Sequence, residues 1–317
     1  MFRKNRLNSS LGGFRFQTAN SLPSNNQFKT NKPIINKPII NNPIINNPII
    51  NNPITEIDLL QLKNNDSIAN DENKLKKTLV LYVFHEYNNR VEHFFKYCMF
   101  NDPNVDFIII SNNKNFKINN LPANVSFLAR DNIGYDFGGW SDALLINELY
   151  KNYDYFIFVN SSVIGPFMNS DEKWTDIYIN GLKKDNIKLF GSTINSCGDP
   201  YNLSTVQSYI FSMDRITLEY LIKCEIFSMT NYAKTFNDAI WLKEVQMSRK
   251  IIENDWNIGS LMNYYKGVDF RFKTKKPEDY NIKFLDDVIN DKDYKNRVWT
   301  LYEVVFIKGN RGLSVFI

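Results

Sequence analysis

The chain has 317 residues, 43% of them hydrophobic and 15% aromatic, enough to bury a full core in one large domain or two modest ones. Its formal charge of +4 is unevenly spread: no acidic residue precedes Glu56, while Arg3, Lys4, Arg6, Arg15, Lys29, Lys32 and Lys37 all do. The remainder is mildly acidic, which excludes a basic nucleic-acid stripe, and three scattered cysteines (Cys98, Cys197, Cys224) with two histidines (His85, His93) give no zinc signature and favour a reducing, cytoplasmic setting.

Residues 31–54 repeat a five-residue unit, "NKPIINKPIINNPIINNPIINNPI", in which Pro33, Pro38, Pro43, Pro48 and Pro53 each remove a backbone donor and block helix. The Ile pairs alternate with Asn and cannot close a core at this length, so residues 1–75 read as a disordered basic tail and spacer rather than a transit peptide. No apolar run approaches the roughly 20 residues that span a bilayer. A transmembrane segment is therefore not expected, and peripheral membrane association is left open.

The folded domain is expected over 76–317. It opens with a β-rich apolar run, "TLVLYVFHEYN" (78–88), followed by a helix with Val91, Phe94, Phe95, Cys98 and Met99 on one face. Strands are predicted at 105–111 and 124–130, then a glycine-rich turn and a helix carrying Leu144, Leu145 and Leu149. "YDYFIFVNSSVIGPF" (153–167) reads as a buried strand that delivers Asn160, Ser161 and Ser162 to its end. A helix near 171–184, a strand at 187–194 and a strand at 206–214 follow, with Asp214 capping a helix to about Phe227. A longer helix is predicted at 236–253, and a final apolar strand within 302–312 opens into a basic loop. Apolar strands alternating with helices predict an α/β sandwich with a mostly parallel sheet, whose ligands sit at the carboxyl ends of the strands.

Four groups of residues carry candidate chemistry. In "RDNIGYDFGGW" (130–140), glycines permit a tight path into a helix while Arg130 and Asp136 supply opposite charges. Such a loop holds a ribose, a base or a diphosphate, or is simply a turn closed by an Arg–Asp pair. Glu244 lies on an apolar helix face with Ile240, Met247, Ser248 and Ile251. In a cleft, desolvation raises a carboxylate's pKa toward the range of a general base; at the edge of the stripe it is a solvated or paired side chain. Lys308 and Arg311 follow a strand and suit phosphate oxygens or a solvated loop equally. Gln207 and Ser208 interrupt an apolar strand, where they face a polyhydroxyl ligand or pair with a neighbouring segment. His85 and Glu86 end the first strand but are too few to define a site. Tyr135, Trp140, Trp241 and Trp256 read as core or rim packing.

Together, "RDNIGYDFGGW", "FIFVNSSVIGPF", "VQSYIFSMD", "LKEVQMSRKIIENDWNIGSLMNYY" and "YEVVFIKGNR" resemble GT-A-type glycosyltransferases, among them the rhamnan-synthesis and capsular-polysaccharide transferases and their relatives in giant viruses. The resemblance covers about 76–317. It implies a GT-A-like αβα sandwich with a mostly parallel mixed sheet, a nucleotide-sugar donor, and hexosyl or deoxyhexosyl transfer to a glycan, lipid-linked or protein acceptor. In many such folds the strand corresponding to 153–159 ends in an Asp-x-Asp motif that holds a divalent cation. Here Asn160, Ser161 and Ser162 stand in that place, and uncharged oxygens bind Mg²⁺ or Mn²⁺ poorly without a carboxylate. The resemblance therefore leaves Mn²⁺ or Mg²⁺ open as a cofactor and assigns no metal ligand. By analogy Arg130, Lys308 and Arg311 stabilise the leaving diphosphate, Asn160 and Ser161 orient the donor, Asp136 contacts donor sugar or ribose, and Gln207 and Ser208 face the acceptor. Glu244 matches the base of inverting enzymes. The rival expectation is a non-catalytic nucleotide-sugar or glycan-binding protein with a degenerate transferase fold, tethered by its tail.

Overall fold

Seven consecutive buried residues, Thr78–Phe84, form an inner strand of the sheet, as their β-branched and aromatic side chains demand when both faces are covered. The computed structural model describes residues 76–169, 171–285, 288 and 298–311; the expected tail of residues 1–75, with its repeat, lies outside the described residues. The strands are β1 (Thr78–Phe84), β2 (Val105–Ser111), β3 (Val125–Ala129), β4 (Tyr155–Asn160), β5 (Val163–Ile164), β6 (Ile187–Gly191), β7 (Ile194–Asn195), β8 (Thr205–Val206), β9 (Ile210–Asp214), β10 (Asn257–Ser260) and β11 (Ile307–Lys308). Seven of them make one sheet in the order β10-β6-β9-β4-β1-β2-β3, in which β9 alone runs against its neighbours. Two small pairs, β11-β5 and β7-β8, stand beside it.

Register aligns the strand ends. β1 pairs with β2 from Thr78/Val105 to Phe84/Ser111, and with β4 from Thr78/Tyr155 to Val83/Asn160. His85, Asn112 and Asn160 therefore emerge along one edge. Because β9 is reversed, with Ile210 opposite Val159, its amino end arrives at that same edge.

Adjacent strand residues point to opposite faces, and this places the helices. Tyr82 stacks on Phe94 of α1 (Asn89–Tyr97) at 3.8 Å between centroids. The neighbouring Val83 packs under Gly139 of α2 (Tyr135–Leu145), so α1 and α2 cover opposite sides. On the α2 side, Trp140 meets Phe158 and Phe211 edge-on, and Phe158 stacks on Phe211 and Phe227. All four rings are buried, each worth about 1.5–3 kcal/mol of hydrophobic stabilisation. On the α1 side lies α3 (Trp174–Gly181), whose Trp174 meets Phe94 edge-on.

Several predicted elements are reshaped, among them the strand expected at 187–194, which ends at Gly191 while Ile194 joins the separate β7-β8 pair. The strand expected at 206–214 is two strands, β8 and β9, because the chain switches sheets: Val206 pairs with Ile194, and Gln207 N donates to Thr193 O. Gln207 and Ser208 thus sit between strands rather than inside one. The predicted helix at 236–253 runs as a capped turn (Phe236–Asp238), a π-helical stretch (Ala239–Val245) and α5 (Gln246–Glu253). Leu301–Val304 is a helical turn capped by Thr300, leaving only Ile307–Lys308 as the final strand. Asp214 does cap a helix, α4 (Arg215–Lys223), accepting from Thr217 N, although that helix stops short of Phe227.

Candidate active site

The carboxyl edge of the sheet is polar where its body is not. At the end of β4, Asn160 donates through Nδ2 to Asp136 Oδ2 at 3.0 Å. Its Oδ1 accepts from both the backbone N and the hydroxyl of Ser162, at 3.0 and 2.5 Å. One amide thereby joins the turn after β4 to the first turn of α2. The same turn continues into β5, which pairs with β11 so that Lys308 lies opposite Val163, and Gly309 N donates to Ser162 O at 2.7 Å. A segment that ends the strand thus serves as the platform for the basic loop.

The second wall is the π-helical stretch. Its wider turn, with i→i+5 bonding, presents Ile240 and Glu244 inward while α5 buries Met247, Ser248 and Ile251 in the core. Ser208 donates to Glu244 Oε2. Gln207 is buried, and its Oε1 accepts from Thr193 Oγ1 at 2.8 Å, so its amide N–H groups are the ones left for a ligand.

These walls enclose a cavity of about 410 Å³. Of the residues singled out from sequence, Asp136, Asn160, Glu244, Lys308 and Arg311 line it, with Gln207 and Ser208. His85 lines it too; a backbone carbonyl, Asn112 O, accepts from its Nδ1 at 3.0 Å, which fixes the proton on that nitrogen. Arg130 and Ser161 are placed differently. Arg130 does not line the cavity: its Nε donates to Asp142 Oδ2 at 2.6 Å, Nη1 to Asn112 Oδ1 and Nη2 to Ile133 O. The Arg–Asp pair that closes this glycine turn uses Asp142, nearly two helical turns beyond Asp136. Gly138 is required there, since a Cβ would sit 2.0 Å from Ile133 O. Ser161 contributes its carbonyl to Arg90 Nε at 3.0 Å and is not part of the lining.

Sequence reasoning passed over Asn112, Asn195 and the exposed face of Trp241, all of which line the cavity. Asn112 had a legible signal, as a polar residue directly after an apolar strand. Asn195 did not, because the short pair β7-β8 that positions it is set by tertiary packing.

Asp136 opens onto the cavity yet is enclosed by protein at longer range, and this burial pushes its carboxyl up to about 6. The Asn160 hydrogen bond and the Lys308 charge pull the other way, and the Glu244 charge adds to the rise.

Residues 106–287, more than half of the chain, match the family described as rhamnan synthesis protein F. The chain belongs to that family. No curated protein matches the chain. The rhamnan synthesis protein F family points to a glycosyltransferase of polysaccharide biosynthesis, with a nucleotide-sugar donor and a glycan acceptor. The matched span holds Asp136, Asn160, Gln207, Ser208 and Glu244, while His85, Lys308 and Arg311 join the cavity from outside it. Among the described residues, no group of three or more His, Cys, Asp or Glu is arranged to hold a metal ion, and no helix is long and apolar enough to cross a membrane.

The donor atoms at the end of β4 do not suit a divalent cation. Asn160 Oδ1 already accepts two hydrogen bonds, and the only carboxylates on the cavity wall among the described residues, Asp136 and Glu244, are bonded to Asn160 and Ser208.

Proposed function

We propose that the protein is an inverting glycosyltransferase of GT-A type that transfers a hexosyl or deoxyhexosyl unit from a nucleotide sugar without a metal ion. The observation that carries this reading is the convergence of one carboxylate on the π-helical wall, Glu244, and two cations on the terminal loop, Lys308 and Arg311, in a single cavity. The mostly parallel sheet with one reversed strand agrees with such a fold.

In this mechanism Lys308 and Arg311 hold the diphosphate and stabilise the charge that grows on it as the sugar leaves. Asp136 and Asn160 bind hydroxyls of the donor sugar or ribose, and Asn160 does so as a neutral amide fixed by Ser162. Ser208 fixes the Glu244 carboxylate. Glu244 takes the proton from the acceptor hydroxyl as that oxygen attacks the anomeric carbon and the C–O bond to the diphosphate breaks. Gln207 offers its amide N–H groups to the acceptor. Arg130 acts beneath the site, holding Asn112 and the turn before α2. The giant-virus kinship and a cytoplasmic location belong to the same proposal, the latter supported by free thiols at Cys98 and Cys224.

Glu244→Gln keeps the shape of the wall and removes the base. Donor-induced thermal stabilisation should persist while the transfer rate falls about 10²–10⁴-fold. Equal transfer by the two proteins would remove Glu244 from the chemistry. A second reading, a binding protein with a degenerate site, is favoured by one feature, the amide at Asn160 where a carboxylate would serve a metal. Stabilisation by donors with no transfer by the unaltered protein to any glycan acceptor would select it.

A further inference from the structure

Beside Glu244 the cavity ends in aromatic side chains for which the transfer chemistry has no use. Phe236 is 65% exposed and Trp241 50% exposed although both line the cavity, and the adjacent Leu242 is 59% exposed. Trp140, Trp174 and Trp299 are by contrast fully packed. Tyr135 reaches the same place from the other wall, its ring 6.1 Å from Phe236 at 70°. The backbone is strained to put it there: Tyr135 has φ +56° directly after Gly134 at +76°, a left-handed conformation that bulky side chains rarely adopt and that concentrates at ligand sites. The π-helical widening, also frequent at functional sites, presents Trp241 and Glu244 to one cavity within a single turn.

We propose that Tyr135, Phe236 and Trp241 form an acceptor subsite that stacks on the C–H face of a pyranose ring in a glycan chain. This rests on the transferase reading of the cavity and deepens it by naming the acceptor as a glycan recognised through its rings. A sugar ring has apolar C–H faces and a rim of hydroxyls; an aromatic face, negative at its centre, attracts the former and leaves the latter to hydrogen bonds. A ring seated on Trp241 presents that rim toward Glu244, three residues on, and toward Gln207 and Ser208. The charge pattern speaks against a lipid surface. Helices that lie on membranes carry exposed Lys and Arg, whereas the only cation from Phe236 to Val245 is Lys243, whose buried ammonium donates to Glu225 O and Asn231 O at 2.6 and 2.7 Å.

The test titrates the full chain with a short rhamnose oligosaccharide, with maltohexaose and with mixed phosphatidylcholine/phosphatidylglycerol vesicles, following tryptophan emission and calorimetric affinity. Thermal stabilisation by UDP-, GDP- and dTDP-linked sugars is measured in parallel. An oligosaccharide should perturb the emission of the unaltered protein. Trp241→Ala should abolish that signal and weaken oligosaccharide binding about tenfold, with donor stabilisation and melting temperature unchanged. Trp241→Phe should lose the signal but keep most of the affinity, since an aromatic face is retained. Equal oligosaccharide affinity in the Trp241→Ala protein overturns the subsite, as does a response to vesicles alone or to none of the probes. If donors stabilise the protein while oligosaccharides ignore Trp241, only the subsite fails; if no donor stabilises it, the transferase reading fails as well.

Discussion

Two loops of this molecule each follow a strand, carry cations beside glycines, and have opposite fates. Arg130 follows β3 beside glycines, and Lys308 and Arg311 follow the chain's last strand beside glycines, so both loops qualify as phosphate holders on charge alone. The Arg130 side chain is only 8% exposed, and its guanidinium is taken by Asp142, Asn112 and Ile133 O, with Tyr232 packed over it and donating to the second Asp142 oxygen. Lys308 and Arg311 line the cavity with no such set of acceptors around them among the described residues. The difference teaches that a cation's role is decided by how many acceptors the fold has already given it. A guanidinium held through all three of its nitrogens by protein acceptors is a structural joint, and a cation without such a set is a binding group.

The sharpest way to break this contrast is to remove the joint. Arg130→Met leaves Asp142 as an unpaired, largely buried carboxylate, which should cost about 3–5 kcal/mol in denaturant unfolding and lower the melting temperature by about 10 °C. Donor affinity of the protein that remains folded should hardly move. A loss under about 1 kcal/mol would show that the pair is not structural. The opposite pattern is expected on the other loop. Lys308→Ala and Arg311→Ala should each change stability by no more than about 0.5 kcal/mol. Each should weaken nucleotide-sugar binding by about 1.5–3 kcal/mol, read calorimetrically, as a charge-assisted hydrogen bond is lost. Unaltered donor affinity in both variants would move the diphosphate elsewhere.

The contrast also explains what was legible in the amino-acid sequence. The body of the sheet was, because β1, β2 and β4 are buried on both faces and need continuous apolar runs. The edge was legible in part, since polar residues ending such runs, Asn160 above all, have nowhere to go but the strand ends. Partner choice was not: that Arg130 pairs with Asp142 rather than Asp136 depends on the path forced by Gly138 over Ile133 O, which no local pattern reports. Nor could periodicity show the π-helical stretch: α-helical spacing puts both Trp241 and Glu244 on the face of Ser248, but it reports neither the i→i+5 widening nor that this part of the face opens onto a cavity instead of the core. The sheet switch at Gln207 was hidden for a related reason, as one apolar run supplies both β8 and β9.

The smallest expected effect bears most directly on whether Lys308 is a free binding charge. Asp136 has its carboxyl pushed up to about 6 by burial, against an ordinary value of 3.8. A carboxylic acid whose folded pKa is raised stabilises the fold fully below the ordinary value, and that contribution is lost as pH rises through the folded one. Asp136→Asn, which keeps the acceptor for Asn160 Nδ2, should therefore match the unaltered protein near pH 4 and exceed it by about 1–2 kcal/mol above pH 7, once solvent access through the cavity is allowed for. Unfolding curves at several pH values give the window. Lys308 favours the ionised form of Asp136, so in a Lys308→Met background the window should move upward. Arg130→Met should leave it in place, because that guanidinium is neutralised by Asp142. A window that follows Arg130 and ignores Lys308 would reverse the roles assigned to the two loops.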